Sequence, residues 1–135
     1  MKQVFDTDTT LFQTLSNYPA LTSELSGGVY LRQRPDNSEA EDIVINTITL
    51  TQEFAPQLGT SNVNIYVKDI TVTHDGKSSK MPNVTRLRTL SGIVMEALRG
   101  AYVAGLAMRI ESQSVIDEPA ISQHFVNIRI RWNIH

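Results

Sequence analysis

The last dozen residues of the chain alternate between apolar and polar side chains, a pattern typical of an extended strand with one buried face. The parity expected to face a core consists of His124, Val126, Ile128, Ile130, Trp132 and Ile134. The opposite parity carries Asn127, Arg129, Arg131 and Asn133. Such a strand belongs in a sheet that is covered on one face and solvated on the other, which is the usual arrangement of an antiparallel sheet.

Other periodic segments supply the neighbours of this strand. Apolar residues at helical spacing predict a helix over residues 9–18, with Asp8 or Thr9 as its N-cap, and a short helical piece over 19–25 that Gly27-Gly28 ends. Strand patterns occur at 29–31, at 43–52 with one face exposed, and from 63 onward, with a loop predicted at 54–62. A second long helix is predicted between Asn83 as its cap and Gly100. The final strand belongs to a hairpin that turns at Asp117-Glu118-Pro119.

The strand that starts at Val63 changes parity at Lys68-Asp69, because Val63, Ile65 and Val67 are followed by Ile70 and Val72. A period-two pattern shifts parity only through an extra residue or a break, so we expect a bulge or a strand end there. The polar segment 74–80 follows, with a strong turn signal at Asp75-Gly76.

Together these segments predict an α+β fold with a mostly antiparallel sheet of four to five strands and two main helices packed on one face. The 135 residues show neither repeats nor a linker, and this length suits one hydrophobic core. We therefore expect a single domain over residues 1–135.

The sequence offers little catalytic chemistry. Without cysteine there is no disulfide, zinc-thiolate site or thiol nucleophile, and the usual phosphate-loop, serine-elbow and zinc-helix motifs are missing. His74 beside Asp75 lies on a predicted turn, where proton transfer is rarely preorganised, and His124 reads as a structural histidine. The acidic residues Glu39, Glu41 and Asp42 lack the spacing of a calcium loop and read as a solvated loop. We expect no catalytic, cofactor-binding or metal-binding residues and no enzyme activity.

The formal net charge is −2, which argues against a dedicated nucleic-acid binder. Residues 1–67 carry a net −5 and residues 68–135 a net +3, so the two parts either meet oppositely charged neighbours or are simply two solvated surfaces. No apolar run is long enough to span a bilayer, and the N-terminus lacks the core of a signal peptide. We expect a soluble protein, made in a cytoplasm, that binds neither membrane nor a specific nucleic-acid sequence.

Five residues are candidates for a protein interface. Phe54, Leu58 and Met81 are apolar residues in predicted polar loops, where such side chains either tuck onto the core or meet another chain. Arg129 and Arg131 share the polar face of the final strand, where they either form a basic strip for phosphates or an acidic partner, or pair with Glu111.

In order along the chain, the segments resemble a family of small tailed-phage proteins, the tail terminator or tail completion (head–tail joining) proteins. The matching segments are an N-terminal helix with Tyr18-Pro19-Ala20-Leu21, then Gly27-Gly28-Val29-Tyr30-Leu31, then Val63-Asn64-Ile65-Tyr66-Val67-Lys68-Asp69, a helix carrying Arg86-Leu87, and a closing hairpin. The loop from Arg34 to Asp42 departs from the family, which often has a proline-led strand entry there.

The resemblance implies a non-enzymatic subunit of a phage or prophage tail. In this family, copies of the chain, typically six, close into a ring that ends the tail tube and joins it to the head connector. Expected partners are copies of itself, the tail tube protein and the head connector protein. The expected location is the virion tail or neck, with assembly in the bacterial host cytoplasm.

Two hypotheses from other classes stay open. One is a small bacterial binding module that holds a ligand or peptide on its sheet face or loops. The other is an enzyme whose site combines distant residues such as His74, Asp75 and Arg86.

Overall fold

The computed structural model describes residues 1–103 and 105–135 of the chain. Its helices are α1 (Val4–Ser16), α2 (Pro19–Thr22) and α3 (Val84–Gly100). Its strands are β1 (Val29–Leu31), β2 (Asp42–Leu50), β3 (Gln57–Lys68), β4 (Ile70–His74), β5 (Lys77–Met81), β6 (Leu106–Glu118) and β7 (Gln123–Ile134). A 3-10 turn over Pro119–Ile121 joins β6 to β7.

Five strands form one sheet in the order β1-β2-β3-β7-β6, and β4 and β5 form a separate two-stranded sheet. Every pairing in the large sheet is antiparallel except that of β1 with β2. The predicted mostly antiparallel sheet of four to five strands is therefore confirmed. β6 and β1 form its two edges, while β7 lies between β3 and β6.

β7 confirms the alternation that its sequence predicts. All twelve of its residues are in register with β3, from Gln57 opposite Ile134 to Lys68 opposite Gln123. Its apolar residues from Val126 to Ile134 are buried, while Arg129, Arg131 and Asn133 are exposed on the other face. Two long neighbours thus hold the strand whose pattern is the most regular in the chain.

One hydrophobic cluster joins the covered face of the sheet, called here the inner face, to the helices. It contains Leu11 and Leu15 of α1, Leu90 and Val94 of α3, and inward residues of β2, β3 and β7. The largest is Trp132, which is completely buried. Burial of a large apolar side chain contributes about 1.5–3 kcal/mol, so this cluster fixes which sheet face is inside.

The predicted start of α1 is wrong. The helix begins at Val4, after Gln3, whose backbone N–H donates to the Asp6 carboxylate at 2.7 Å. Asp8 lies inside the helix, where its carboxylate accepts from the backbone N–H of Thr47 at 2.7 Å and from Arg32 at 2.8 Å. An acidic residue that suits an N-cap is used here to tie α1 to β2.

The predicted loop at 54–62 is wrong from Gln57 onward, since β3 begins there. Gln57 and Ser61 are polar, yet both are buried on the inner face. The Gln57 side chain donates to the carbonyls of Lys2 and Thr51, and Ser61 accepts from Trp132. Buried hydrogen bonds therefore replace the apolar contacts that a strand pattern relies on.

Other boundaries agree more closely. β3 ends at Lys68, so the predicted break at Lys68-Asp69 is a strand end, and the chain turns into the β4–β5 hairpin. Asn83 caps α3 by accepting from the backbone N–H of Arg86, and the helix ends at Gly100.

The predicted exposed face of β2 is wrong for its first four residues, all of which are buried. β5 was not foreseen, because its sequence is almost entirely polar.

Candidate functional site

The β4–β5 hairpin is the most exposed regular element of the described chain. All ten of its strand residues are exposed. Asp75 and Gly76 form its turn with positive φ angles of 50° and 76°. Two strands alone are marginally stable in water, so a hairpin of this kind gains most from being covered by something else.

The two sides of this hairpin differ chemically. Ile70 lies opposite Met81, and Val72 projects to the same side. These three side chains are 40–46% exposed. The other side is polar, with Thr71 accepting from the Lys80 ammonium at 2.8 Å and Thr73 hydrogen-bonded to Ser78. Met81, a predicted interface residue, is therefore part of an uncovered apolar side of the hairpin.

Three other predicted interface residues lie together on the solvated face of the sheet, the outer face. Leu58, Arg129 and Arg131 line a shallow depression of about 290 Å³. Arg109 lies directly opposite Arg131, which adds a third guanidinium. The Arg131 side chain is 3.5 Å from the Glu111 carboxylate, so the predicted pairing with Glu111 exists within a face that is basic overall.

Phe54 lies in the loop between β2 and β3 and is 71% exposed. This loop leads into Leu58, at the end of the sheet where β3 begins. Met81 lies past the other end of β3, roughly 36 Å away along a twelve-residue strand at 3.3 Å per residue. Met81 therefore lies far from Phe54 and Leu58, and the five predicted residues do not form one patch.

A second exposed region escaped the sequence-based prediction. Beyond Ile110 the register of β6 shifts against β7, and residues 111–117 of β6 are all exposed. Val115 and Ile116 are 61% and 40% exposed, and Ile121 in the adjoining turn is 46% exposed. The adjacent apolar pair Val115-Ile116, where alternation stops, is the sequence signal that points to this edge.

Each of the three acidic residues of the predicted solvated loop has a basic partner, and of the three Glu39 alone is exposed. Glu41 and Glu24 both accept from the Arg86 guanidinium, at 2.9 and 3.0 Å. Asp42 is buried and pairs with Arg34 at 3.3 Å, and Glu39 lies 3.4 Å from the Lys68 ammonium.

Hydrogen bonding from Arg86 lowers the pKa of Glu41 despite its partial burial, and Glu41 in turn raises the pKa of Arg86. Acids of residues 1–67 therefore neutralise bases of residues 68–135 within one molecule. At these positions the acidic residues of the first half and the basic residues of the second half therefore lie side by side in the fold.

The residues of the enzyme hypothesis are not brought together. His74 and Asp75 approach to 3.4 Å at the hairpin turn, but both side chains are 89% exposed. Arg86 is engaged by Glu24 and Glu41 instead. His124 lies between the carboxylates of Asp69 and Asp117, at 2.6 and 3.5 Å, where it joins the ends of β3, β6 and β7.

Within residues 1–103 and 105–135, no group of three carboxylate or imidazole side chains is arranged to hold a metal ion. In the same residues, none of the helices has both the length and the apolar character needed to cross a membrane.

No protein-family model and no curated protein matches this sequence. Among solved structures, the chain is similar to a chain in the virion of a native gene transfer agent particle. The superposition has a TM-score of 0.61 at 11% sequence identity and covers 99% of this chain and 98% of the other. The two chains therefore share a fold from end to end.

Proposed function

We propose that this chain is a non-enzymatic structural subunit of a phage or phage-like particle, and that it forms a ring which terminates the tail tube and joins it to the head connector. The end-to-end likeness to a chain of a gene transfer agent virion carries the proposal. The likeness extends over nearly the whole length of both chains, so it concerns the entire fold and not a single motif.

Surface properties support an assembly role. The isolated chain exposes the apolar side of the β4–β5 hairpin, most of residues 112–118 of β6, called here the distal part of β6, and Phe54. Monomeric proteins rarely leave several such regions uncovered, and they mark contacts with other chains. Because Phe54 and the β4–β5 hairpin lie at opposite ends of β3, the chain exposes apolar surface to more than one neighbour. A ring that also contacts a tail tube protein and a head connector protein requires several such surfaces.

The number of copies in the ring is proposed as six, the number that the family resemblance implies. A ring requires a head-to-tail contact between two different surfaces of each copy, repeated until the rotation closes. The proposed location is the tail or neck of the virion, with assembly in the cytoplasm of a bacterial host.

Sedimentation velocity and negative-stain electron microscopy test this proposal. The chain is examined alone over a wide concentration range, and then with a tail tube protein from the same genome. We expect closed rings of a single size in at least one of these conditions. A chain that stays monomeric in both conditions would contradict the proposal.

The depression lined by Arg129 and Arg131 favours one alternative, a binding module for an anionic ligand or acidic peptide. A ligand that binds the native state raises its thermal midpoint by mass action. A shift with inorganic phosphate or a poly-glutamate peptide, lost in R129Q/R131Q and accompanied by no ring, would favour this alternative.

A further inference from the structure

The hairpin and the distal part of β6 are both uncovered in a single copy of the chain. The hairpin is exposed on both sides, so it does not lie on the β6 strand of its own chain. β6 is an edge strand, and its residues 112–117 have both faces exposed. Within residues 1–103 and 105–135, no strand pairs with the outer edge of β6. Long exposed edges of this type are sites where another chain adds to a sheet.

The two regions are complementary in polarity and charge. The hairpin presents Ile70, Val72 and Met81, and its charged residues, Lys77 and Lys80 against Asp75, give it a net positive charge. The distal part of β6 presents Val115 and Ile116 beside Asp117 and Glu118. The hairpin is thus apolar and basic, whereas the distal part of β6 is apolar and acidic. Opposite charges of this kind attract two copies and disfavour wrong pairings.

Their positions also suit a closed ring. Lys68 at the end of β3, Gln123 and Glu118 lie in one row across three strands, and the hairpin starts two residues after Lys68. The backbone N–H of Asp69 donates to the carbonyl of Ser122, which fixes this corner. The start of the hairpin and the end of β6 therefore lie at the same level along the strands, which suits a head-to-tail contact repeated by rotation about an axis along the strands.

From these observations we infer that the β4–β5 hairpin of each copy covers residues 112–118 of β6 in the next copy, with Lys77, which projects from the apolar side of the hairpin, facing the acidic end of β6 at Asp117 and Glu118. This inference depends on the proposed ring, and it names the two surfaces that build it.

Engineered cysteines test the contact directly, since the natural chain has none. One tagged chain carries S79C in the hairpin, and a second, differently tagged chain carries S114C in β6. The two are mixed at high concentration with a short bismaleimide crosslinker. We expect mixed dimers from this mixture. A matched mixture pairs S79C with T89C, which lies on the exposed side of α3, and should yield few.

Charge exchange gives a second test. K77E/K80E and D117K/E118K should each weaken self-association roughly tenfold or more, because like charges then meet at every contact. A one-to-one mixture of the two variants should restore rings, since alternating copies again present opposite charges. R88E/R99E makes the same charge change on α3 and should assemble as the natural chain does. Circular dichroism verifies that each variant is folded.

The outcomes separate the two proposals. Rings that form without the hairpin-to-β6 crosslink, or that tolerate both charge variants, overturn the inference and leave the proposed function standing. Failure of the mixture to assemble when each folded variant is impaired also overturns it. A natural chain that forms neither rings nor crosslinks, alone or with the tube protein, contradicts both.

Discussion

A row of hydrogen bonds joins four buried polar side chains across the core and links the sheet to α1. Trp132 donates to the Ser61 hydroxyl at 2.7 Å, Ser61 meets Thr47 at 2.6 Å, and Thr47 meets Thr7 at 2.6 Å. Thr7 donates to the carbonyl of Val4. Since each hydroxyl has one proton, the donors must run in one direction, from Trp132 through Ser61 and Thr47 to Thr7.

Thr47→Val removes the middle hydroxyl of this row while it conserves shape. Ser61 then loses its acceptor inside the core, and we expect the free energy of unfolding to fall by about 1–3 kcal/mol. Urea denaturation measures the difference. Thr49→Val, on the exposed outer face of the same strand, should change it by about 0.5 kcal/mol or less. If both variants changed the free energy of unfolding equally, the buried hydrogen bonds would contribute no more to stability than an exposed hydroxyl does.

The ion pair of Arg86 and Glu41 should make stability depend on pH. The folded state lowers the pKa of Glu41 below its ordinary value of 4.5, so the stabilisation is present above that pH and is lost as the pH falls through the lowered pKa. Glu41→Gln should therefore lower the free energy of unfolding by about 1–3 kcal/mol at pH 7, and the difference should vanish in stronger acid.

Denaturant titrations of Glu41→Gln and the natural chain at pH 7, 5 and 3 provide this comparison. Glu39→Gln is the matched control, because Glu39 is 71% exposed and its pair with Lys68 is a surface one. A deficit in Glu41→Gln that stays constant down to pH 3 would assign the effect to packing rather than charge.

At the level of elements, the sequence predicts those whose apolar pattern matches their burial. β7 and the cap of α3 at Asn83 follow the sequence because apolar residues and a capping side chain specify them locally. The start of β3 and the whole of β5 do not, since Gln57, Ser61 and the polar hairpin lack that pattern. Their structure depends on long-range hydrogen bonds and on a turn.

The same reasoning explains what the sequence shows of the candidate site. Met81 and Phe54 stand out as apolar residues among polar ones, and the structure exposes both. Ile70 and Val72 do not stand out, because their alternation fits a sheet strand whether the break at Lys68-Asp69 is a bulge or a strand end. Only the separation of the hairpin from the large sheet reveals them as surface residues.

The hairpin should behave as an independent element. Gly76→Val forces a β-branched residue into the left-handed region at φ 76°, which costs about 1–2 kcal/mol locally. Because the hairpin lies outside the core cluster, we expect an unchanged thermal midpoint for the domain but faster hydrogen exchange at residues 70–81. A clear drop in the thermal midpoint would show that the hairpin supports the core.

At the scale of the whole molecule, the hydrophobic core is distinct from the β4–β5 hairpin, called here the arm. The core joins α1, α3 and the large sheet, and ion pairs between distant parts of the chain hold its edges. The hairpin adds nothing to the core cluster and exposes its apolar side. Under the proposed contact, the burial of this side provides a free energy of association that the monomer lacks.

Removal of the arm should therefore uncouple folding from assembly. A variant in which a short Gly-Ser linker replaces residues 70–81 should keep the circular dichroism of the core and a thermal midpoint close to that of the natural chain. It should lose self-association in sedimentation velocity. The companion variant I70T/V72T/M81T keeps the hairpin but makes its apolar side polar, and it should lose most of the association as well. If the linker variant still forms rings, the arm is not the contact between copies, and another surface, such as the outer face at Arg129 and Arg131, must close the ring.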